Sequence, residues 1–288
     1  MLRKSDRILI IGLGLIGGSY ALGLKKKGYF VGGIDVSQRT LDYALKNQLI
    51  DDGRSEIDNQ FISTFDVIIF AVYPKLVIPY LEKIGASIKK GAIVTDVTGV
   101  KSRIIENIQS LKIKEFEFIG AHPMAGKETG GIKNANIEIF KNANYIITPT
   151  EKNTEKAIDL AKDIGRELGF SRISLLSPQK HDQMIAFLSQ LTHAIAISLM
   201  TCNDDENLGY YTGDSFRDLT RIAKINEDMW TELFMENKEE LISQMQSFSK
   251  KFIDILDMLK TDDVESLKQT MRLSTKRRKA FDEQKGEN

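Results

Sequence analysis

Cysteine is almost absent. Cys202 stands alone in 288 residues, which excludes an intrachain disulfide framework and fits a reducing compartment. Late in an apolar helical run, that thiol is read as core packing rather than as a nucleophile. Net charge is lacking as well: forty basic and forty acidic residues cancel, so no overall field draws the chain to nucleic acid or to an anionic membrane. The basic run KRRK, residues 276–279, is read as a solvated helix face. No apolar stretch approaches the roughly 20 residues of a membrane span. The N-terminal MLRKSDR enters a strand at once and leaves no room for a signal peptide. The chain is therefore expected in the cytoplasm, with neither nucleic-acid nor membrane partners. Internal repeats and low-complexity linkers are missing too, and no metal site is indicated. What is present, 42% hydrophobic and 28% charged residues, is ordinary for a globular protein and long enough for two domains.

The most informative segment is RILIIGLGLIGGSYALGLKKKGYFVGGID, residues 7–35. An apolar run feeds Gly12, Gly14 and Gly17, then a helix-like pattern, then a second apolar run ending on Asp35. That order is what a strand, a tight turn, a helix and a second parallel strand need in order to cradle a dinucleotide. Gly12 allows the turn, Gly14 lets backbone N–H groups approach a pyrophosphate, and Gly17 lets helix and strand pack closely. The helix N-terminus, opened by Leu15 and Ile16, offers unpaired donors and a partial positive charge to phosphates. Asp35 lies at the expected distance for an acid that accepts hydrogen bonds from ribose hydroxyls, which favours NAD over NADP. Arg39 is the mild counter-signal, since an arginine there suits a 2′-phosphate. Val72, at the end of a later apolar run, joins the expected cofactor-binding set.

Strand and helix go on alternating after Asp35. Residues 38–47 have helical spacing, 66–72 (DVIIFAV) form a buried strand, 74–87 a helix, 92–95 a strand, 101–111 a helix and 116–121 a further strand. A loop rich in glycine and asparagine follows, then short strands at 145–147 and 172–175 flanking a helix over about 154–168. This predicts an α/β fold: a Rossmann-type, mostly parallel sheet covered on both faces. At Ser177–Pro178, an N-cap followed by proline at the first helical position, the pattern changes. Beyond it 179–202, 227–259 and 262–281 carry only helical spacing. The expected division is a dinucleotide-binding domain at 1–176 and an all-helical substrate and dimerisation domain at 177–288. The helices from 227 onward are more apolar than a lone subunit needs, which points to a homodimer.

Three groups of residues carry candidate chemistry. The strand ending at Ala121 delivers His122 into the loop HPMAGKETGG, beyond the carboxyl end of a strand, where ligands of open parallel sheets bind. In GDSFRDLTRIA, residues 213–223, helical spacing places Arg217 and Arg221 on one face with Asp214 and Asp218 beside them. Paired guanidinium groups suit a substrate with two carboxylates. After Pro178, Asp182, Ser189 and His193 line one helical face, with Asp182 and His193 about 16 Å apart along the axis, too far to act as one pair. His181 lies off that stripe and is read as structural. Core packing is the default reading of Trp230.

Together GLGLIGGS, Asp35, DVTGVK (residues 96–101), GAHPMAGKE and FRDLTRIA…MW resemble prephenate dehydrogenase and its close relative arogenate dehydrogenase, over about residues 7–260. The resemblance implies a Rossmann-type domain, a helical dimerisation domain and an active site between them. It further implies NAD-dependent oxidative decarboxylation of a cyclohexadienol in tyrosine biosynthesis. Prephenate, giving 4-hydroxyphenylpyruvate, is the leading substrate, and arogenate, giving tyrosine, is the alternative. By the same resemblance His122 takes the proton of the ring 4-hydroxyl and Arg221 holds the ring carboxylate. Glu128, Arg217, Asp218, Trp230, Asp182 and His193 then line or gate the pocket. Two departures stand out. Gly99 occupies a position where many members carry a serine, which leaves Thr98 as the candidate hydroxyl, and Gln190 replaces a histidine often seen three residues before His193. Asp214, where many prephenate enzymes are neutral, suits the side-chain ammonium of arogenate. The rivals are a β-hydroxyacid-type dehydrogenase, which relies on a lysine in its helical domain, and an NAD(H)-sensing regulator without turnover.

Overall fold

The computed structural model describes residues 1–111, 115–126 and 129–286. Eight strands form one sheet in the order β3-β2-β1-β4-β5-β6-β7-β8. They are β1 (Arg7–Ile11), β2 (Phe30–Ile34), β3 (Asp52–Arg54), β4 (Val67–Phe70), β5 (Ala92–Asp96), β6 (Phe116–Pro123), β7 (Asn144–Thr148) and β8 (Arg172–Leu175). All neighbouring pairs run parallel except β6 and β7, which are antiparallel. Alternation along the strands loads both faces. From β1, Ile8 and Ile10 enter one core cluster and Leu9 and Ile11 the other, and β4 splits Val67 and Ile69 from Ile68 and Phe70 in the same way. A strand buried on both sides has no polar face to show, which is why these segments read as unbroken apolar runs.

Six helices connect the strands: α1 (Leu15–Lys26), α2 (Gln38–Lys46), α3 (Asn59–Ile62), α4 (Pro74–Ile84), α5 (Ser102–Ser110) and α6 (Glu155–Leu168). Tyr20, Ala21 and Leu24 of α1 cover the first cluster, whereas Val77, Leu81, Ile104 and Ile108 of α4 and α5 cover the second. Beyond the sheet come α7 (Pro178–Ile185), α8 (Leu191–Thr201), α9 (Leu208–Tyr211), α10 (Asp214–Thr220) and α11 (Glu227–Glu236). They are followed by α12 (Lys238–Lys260) and α13 (Val264–Gly286). Ser177 caps α7, its hydroxyl accepting from the Lys180 N–H.

The α/β reading holds, with local corrections. Edge strand β3 and helix α3 are too short to carry a periodic apolar signal. Strand β6 continues through Pro123 rather than stopping at Ala121, because it pairs with β7 as far as Pro123 opposite Tyr145. A π-helical turn at Ala186–Gln190 joins α7 to α8, so Asp182 and His193 do not keep the single face that α-helical spacing predicts. The uninterrupted helix Pro178–Thr201 is, among the described residues, long and apolar enough to cross a membrane by length and composition, contrary to the expectation that no stretch approaches this. It buries His181, Asp182 and Gln190, all hydrogen-bonded to protein groups. Cys202 is exposed rather than packed in a core, because the helix ends one residue before it.

By compactness the chain divides after Asn237, later than the change of element type near residue 176. The first unit takes in α7 to α11 together with the sheet. In the second unit α12 and α13 form a two-helix hairpin that turns at Asp262, whose φ is 52°; aspartate tolerates this left-handed conformation better than most side chains do. Its exposed apolar side chains include Phe252, Ile253, Leu256 and Leu259.

Candidate active site

At the β1–α1 turn the three glycines do different work. Gly12 has a φ of 92°, and a Cβ there would fall 2.5 Å from the Ala71 carbonyl oxygen and 2.8 Å from a Val72 methyl. A Cβ on Gly17 would overlap the Gly12 carbonyl, so α1 sits against the turn only because position 17 is bare. Gly14, the N-cap of α1, has nothing within 4 Å of a Cβ: the space over the helix N-terminus is open. Asp35 closes the cradle, its carboxylate accepting from the Leu13 N–H at 2.8 Å and the Ser37 N–H at 2.9 Å. Leu15, Ile16 and Val72 are partly buried around the turn, and Arg39 is exposed on α2. An open helix N-terminus, a close-packed glycine turn and a carboxylate at the end of β2 fit a dinucleotide.

His122 lies in β6, opposite Ile146, and is tied into a row of buried groups. Its Nδ1 is 2.9 Å from His181 Nε2, and His181 Nδ1 is 2.7 Å from Asp182 Oδ1. Asp182 also accepts from the Lys101 N–H at 2.9 Å and the Ser102 N–H at 2.7 Å, which places a carboxylate at the N-terminus of α5, where it is favoured. The Lys101 ammonium meets Asp96 Oδ2 at 2.5 Å with both side chains fully buried. The other oxygen of Asp96 accepts from the Ala121 N–H at 3.1 Å, one residue before His122. Asn237 joins the outer side of this network, donating to the Asp182 carbonyl at 3.0 Å and to Gln190 Oε1 at 2.8 Å.

Burial sets the protonation. Desolvation first, then the neighbouring His181 and Lys101 charges, hold the His122 imidazole well below its ordinary pKa. Burial also lowers His181, against the opposing pull of Asp182. For Asp182 burial pushes upward, but hydrogen bonds from His181 and Ser102 outweigh it and keep the carboxyl below the usual range. Burial lowers Lys101 although the Asp96 carboxylate resists. At neutral pH both rings are uncharged and Asp182 is ionised.

A second group stands in the same unit. The His193 ring stacks on Trp230 with centroids 3.6 Å apart, and its Nδ1 is 2.8 Å from the Ser189 carbonyl. A carbonyl only accepts, so Nδ1 carries the proton and Nε2 is free to accept. Burial, and after it the Arg221 guanidinium, lowers the His193 pKa against that backbone bond, which places Arg221 within electrostatic reach of the imidazole.

The remaining candidates need correction in part. Arg221 is the C-cap of α10 and its N–H donates to the Arg217 carbonyl, so the two arginines stand one helical turn apart as expected, before a 3₁₀ turn at Arg221–Ala223. Arg217 is bound within its own segment, ion-paired with Asp214 and donating to the Thr212 carbonyl at 3.1 Å. Asp214 and Asp218 are exposed. Thr98 is 4% exposed, and its hydroxyl is engaged inward with Asp96, the Val100 carbonyl and the Lys101 ammonium, so it is not free to replace a missing serine. Position 99 borders His122, for a Cβ on Gly99 would lie 3.9 Å from His122 Cε1 and 3.1 Å from Leu233. Glu128 lies outside the described residues. Sequence reasoning missed Asp96, Lys101 and above all His181. The one signal for His181 was its place in a chain with only three histidines.

A glycine cradle for a dinucleotide, together with an uncharged imidazole at the carboxyl end of a strand in the same sheet, fits a nicotinamide-dependent oxidoreductase. Residues 20–173 match the family described as prephenate dehydrogenase, nucleotide-binding domain, and residues 177–273 match prephenate dehydrogenase, dimerization domain. The chain belongs to the prephenate dehydrogenase family and is an NAD-dependent dehydrogenase. It is 30% identical to the prephenate dehydrogenase of Bacillus subtilis strain 168 over 93% of this chain and 74% of that one. Among solved structures it resembles prephenate dehydrogenase from A. aeolicus in complex with hydroxyphenyl propionate and NAD+, with a TM-score of 0.86, 27% identity, and 96% and 98% of the two chains covered. Synechocystis arogenate dehydrogenase gives a TM-score of 0.83 at 28% identity, covering 96% of this chain and 99% of the other.

Proposed function

We propose that the chain oxidatively decarboxylates prephenate to 4-hydroxyphenylpyruvate in tyrosine biosynthesis, with His122 as general base. The observation that carries this reading is the His122 imidazole, held uncharged by its surroundings in the same compact unit as the glycine cradle. Gly12, Gly14 and Gly17, with the N–H groups of Leu15 and Ile16, hold the pyrophosphate; Asp35 takes the ribose hydroxyls, and Val72 borders the cofactor. Bound NAD+ supplies the hydride acceptor. His122 removes the ring 4-hydroxyl proton as hydride leaves the same carbon. Arg221 holds the ring carboxylate, and His193, Trp230, Arg217 and Asp218 border the substrate. As carbon dioxide departs, the electrons of its bond to the ring complete an aromatic system, and the phenol oxygen regains a proton. His122 therefore borrows a proton and returns it, and no net proton is released. Aromatisation supplies the driving force, so the protein's tasks are orientation and proton removal.

His122→Asn tests the reading. Single-turnover and steady-state assays with prephenate and NAD+ should show kcat lower by about 10²-fold or more; a kcat near that of the wild type would remove the proton-acceptor role. One observation favours arogenate as a second reading: Asp214 presents an exposed carboxylate that would pair with an ammonium and gains nothing from a keto acid. Comparing kcat/KM for the two substrates in the wild type and in Asp214→Asn decides between them. A shift toward prephenate in the variant is expected if Asp214 reads the ammonium, and an unchanged ratio removes that role. We also propose that the functional domains are 1–176 and 177–288, and that the enzyme acts as a cytoplasmic homodimer.

A further inference from the structure

Two of the three histidines touch, and the contact constrains where their protons are. An ionised Asp182 only accepts hydrogen bonds, so His181 carries its proton on Nδ1, the nitrogen 2.7 Å away. An uncharged His181 then has a bare Nε2. His122 Nδ1 lies 2.9 Å from that nitrogen, and two lone pairs would repel at this distance, so the proton between them belongs to His122 Nδ1. One proton being all a neutral imidazole holds, Nε2 of His122 is left bare. Nothing in the row is free to turn. Both Asp182 oxygens are fixed by the N–H groups of Lys101 and Ser102, and the same β5–α5 turn holds the backbone beside His122 through Asp96 and Ala121. His181 itself has no solvent exposure, so it does not touch the substrate.

We propose that Asp182 and His181 are positioning residues that lock His122 in the Nδ1–H tautomer, leaving Nε2 as the only nitrogen able to take the substrate's hydroxyl proton. The inference deepens the proposed reaction and rests on His122 being its base. A wrong tautomer removes a histidine's competence without moving its ring, as the loss of the aspartate in serine-protease triads illustrates.

The test is the 15N imidazole spectrum of the full-length protein with NAD+ bound, at neutral pH and without substrate. With only three histidines, His181→Gln and His193→Gln assign the signals. The wild type should show His122 protonated on Nδ1. Asp182→Ala removes the acceptor that holds the proton on His181 Nδ1, so the His122 proton should no longer be confined to Nδ1 and kcat should fall, with KM for NAD unchanged. His181→Leu should lose kcat by about 10-fold or more, whereas His181→Gln, whose oxygen reaches the place of Nε2, should recover most of the loss; a structural role alone would not give that rescue. An Nε2–H tautomer in the wild type overturns the proposal even if no variant folds. So does an Asp182→Ala protein whose His122 proton stays confined to Nδ1, or a His181→Gln no better than His181→Leu. Because tautomers are read without substrate, failure to oxidise either cyclohexadienol would sink the reaction and leave this result standing.

Discussion

The charge state of one imidazole decides how this site depends on pH. In the proposed mechanism His122 acts only when neutral, and burial followed by the His181 and Lys101 charges depresses its pKa. Activity should therefore stay level from neutrality down past the ordinary histidine value of about 6.5 and fall only at lower pH, which a kcat/KM profile on each substrate would show. An acid limb centred above 6.5 would contradict this. The linkage runs the same way. His122 and His181 both have folded pKa values below the unfolded one, so below about 6.5 the unfolded chain binds protons that the native state refuses, and stability falls as pH drops. Urea midpoints at pH 7.5 and 5.5 should differ less in His122→Asn than in the wild type. His122 was legible because an apolar strand ends beside it. Its partner was not, since the two rings are 59 residues apart in sequence and no local pattern links them.

Helix and strand spacing carry the next level. The β1–α1 unit was readable because glycine at three fixed positions has a steric cause: Gly17 faces the Gly12 carbonyl directly, and Gly14 faces open space. Gly17→Ala should push α1 off the turn, lowering Tm and abolishing NAD binding measured by calorimetry, whereas Gly14→Ala should leave the apo fold intact, because nothing in the protein opposes its methyl group. Equal losses of Tm in both would refute the division of roles. Helix α7–α8 shows where spacing misleads. Counting at 3.6 residues per turn aligned Asp182 with His193, but the π turn at Ala186–Gln190 takes in an extra residue and rotates everything after it. The Arg217–Arg221 spacing held, because the Arg221 N–H closes a helical turn on the Arg217 carbonyl before the chain tightens to a 3₁₀ turn.

At the level of the molecule, α12 and α13 expose more apolar surface than a two-helix hairpin in water tolerates alone. Phe252 is 65% and Leu259 59% exposed, and residues 177–273 match a dimerization domain. Light scattering at micromolar concentration should report a dimer, and the double variant Phe252→Glu/Leu259→Glu should shift it toward monomer. A monomeric wild type would contradict the proposed assembly. The apolar excess was visible in the sequence, but the compact boundary after Asn237 was not. A change from strands to helices marks where secondary structure switches, whereas compactness depends on which helices lie against the sheet.

Local chemistry settled a great deal in advance: apolar runs with no polar face require a covered parallel sheet, a glycine turn before a helix prepares an anion site, and a histidine follows directly on an apolar strand. None of these needs a distant partner. Tertiary structure alone decided that His181 stands between His122 and Asp182, that Thr98 turns inward while Gly99 borders the His122 ring, and that Asp96, paired with Lys101, ties the backbone of Ala121 beside it. Those facts depend on contacts between segments far apart in the chain, and hydrogen-bond direction and desolvation exist only once such segments meet.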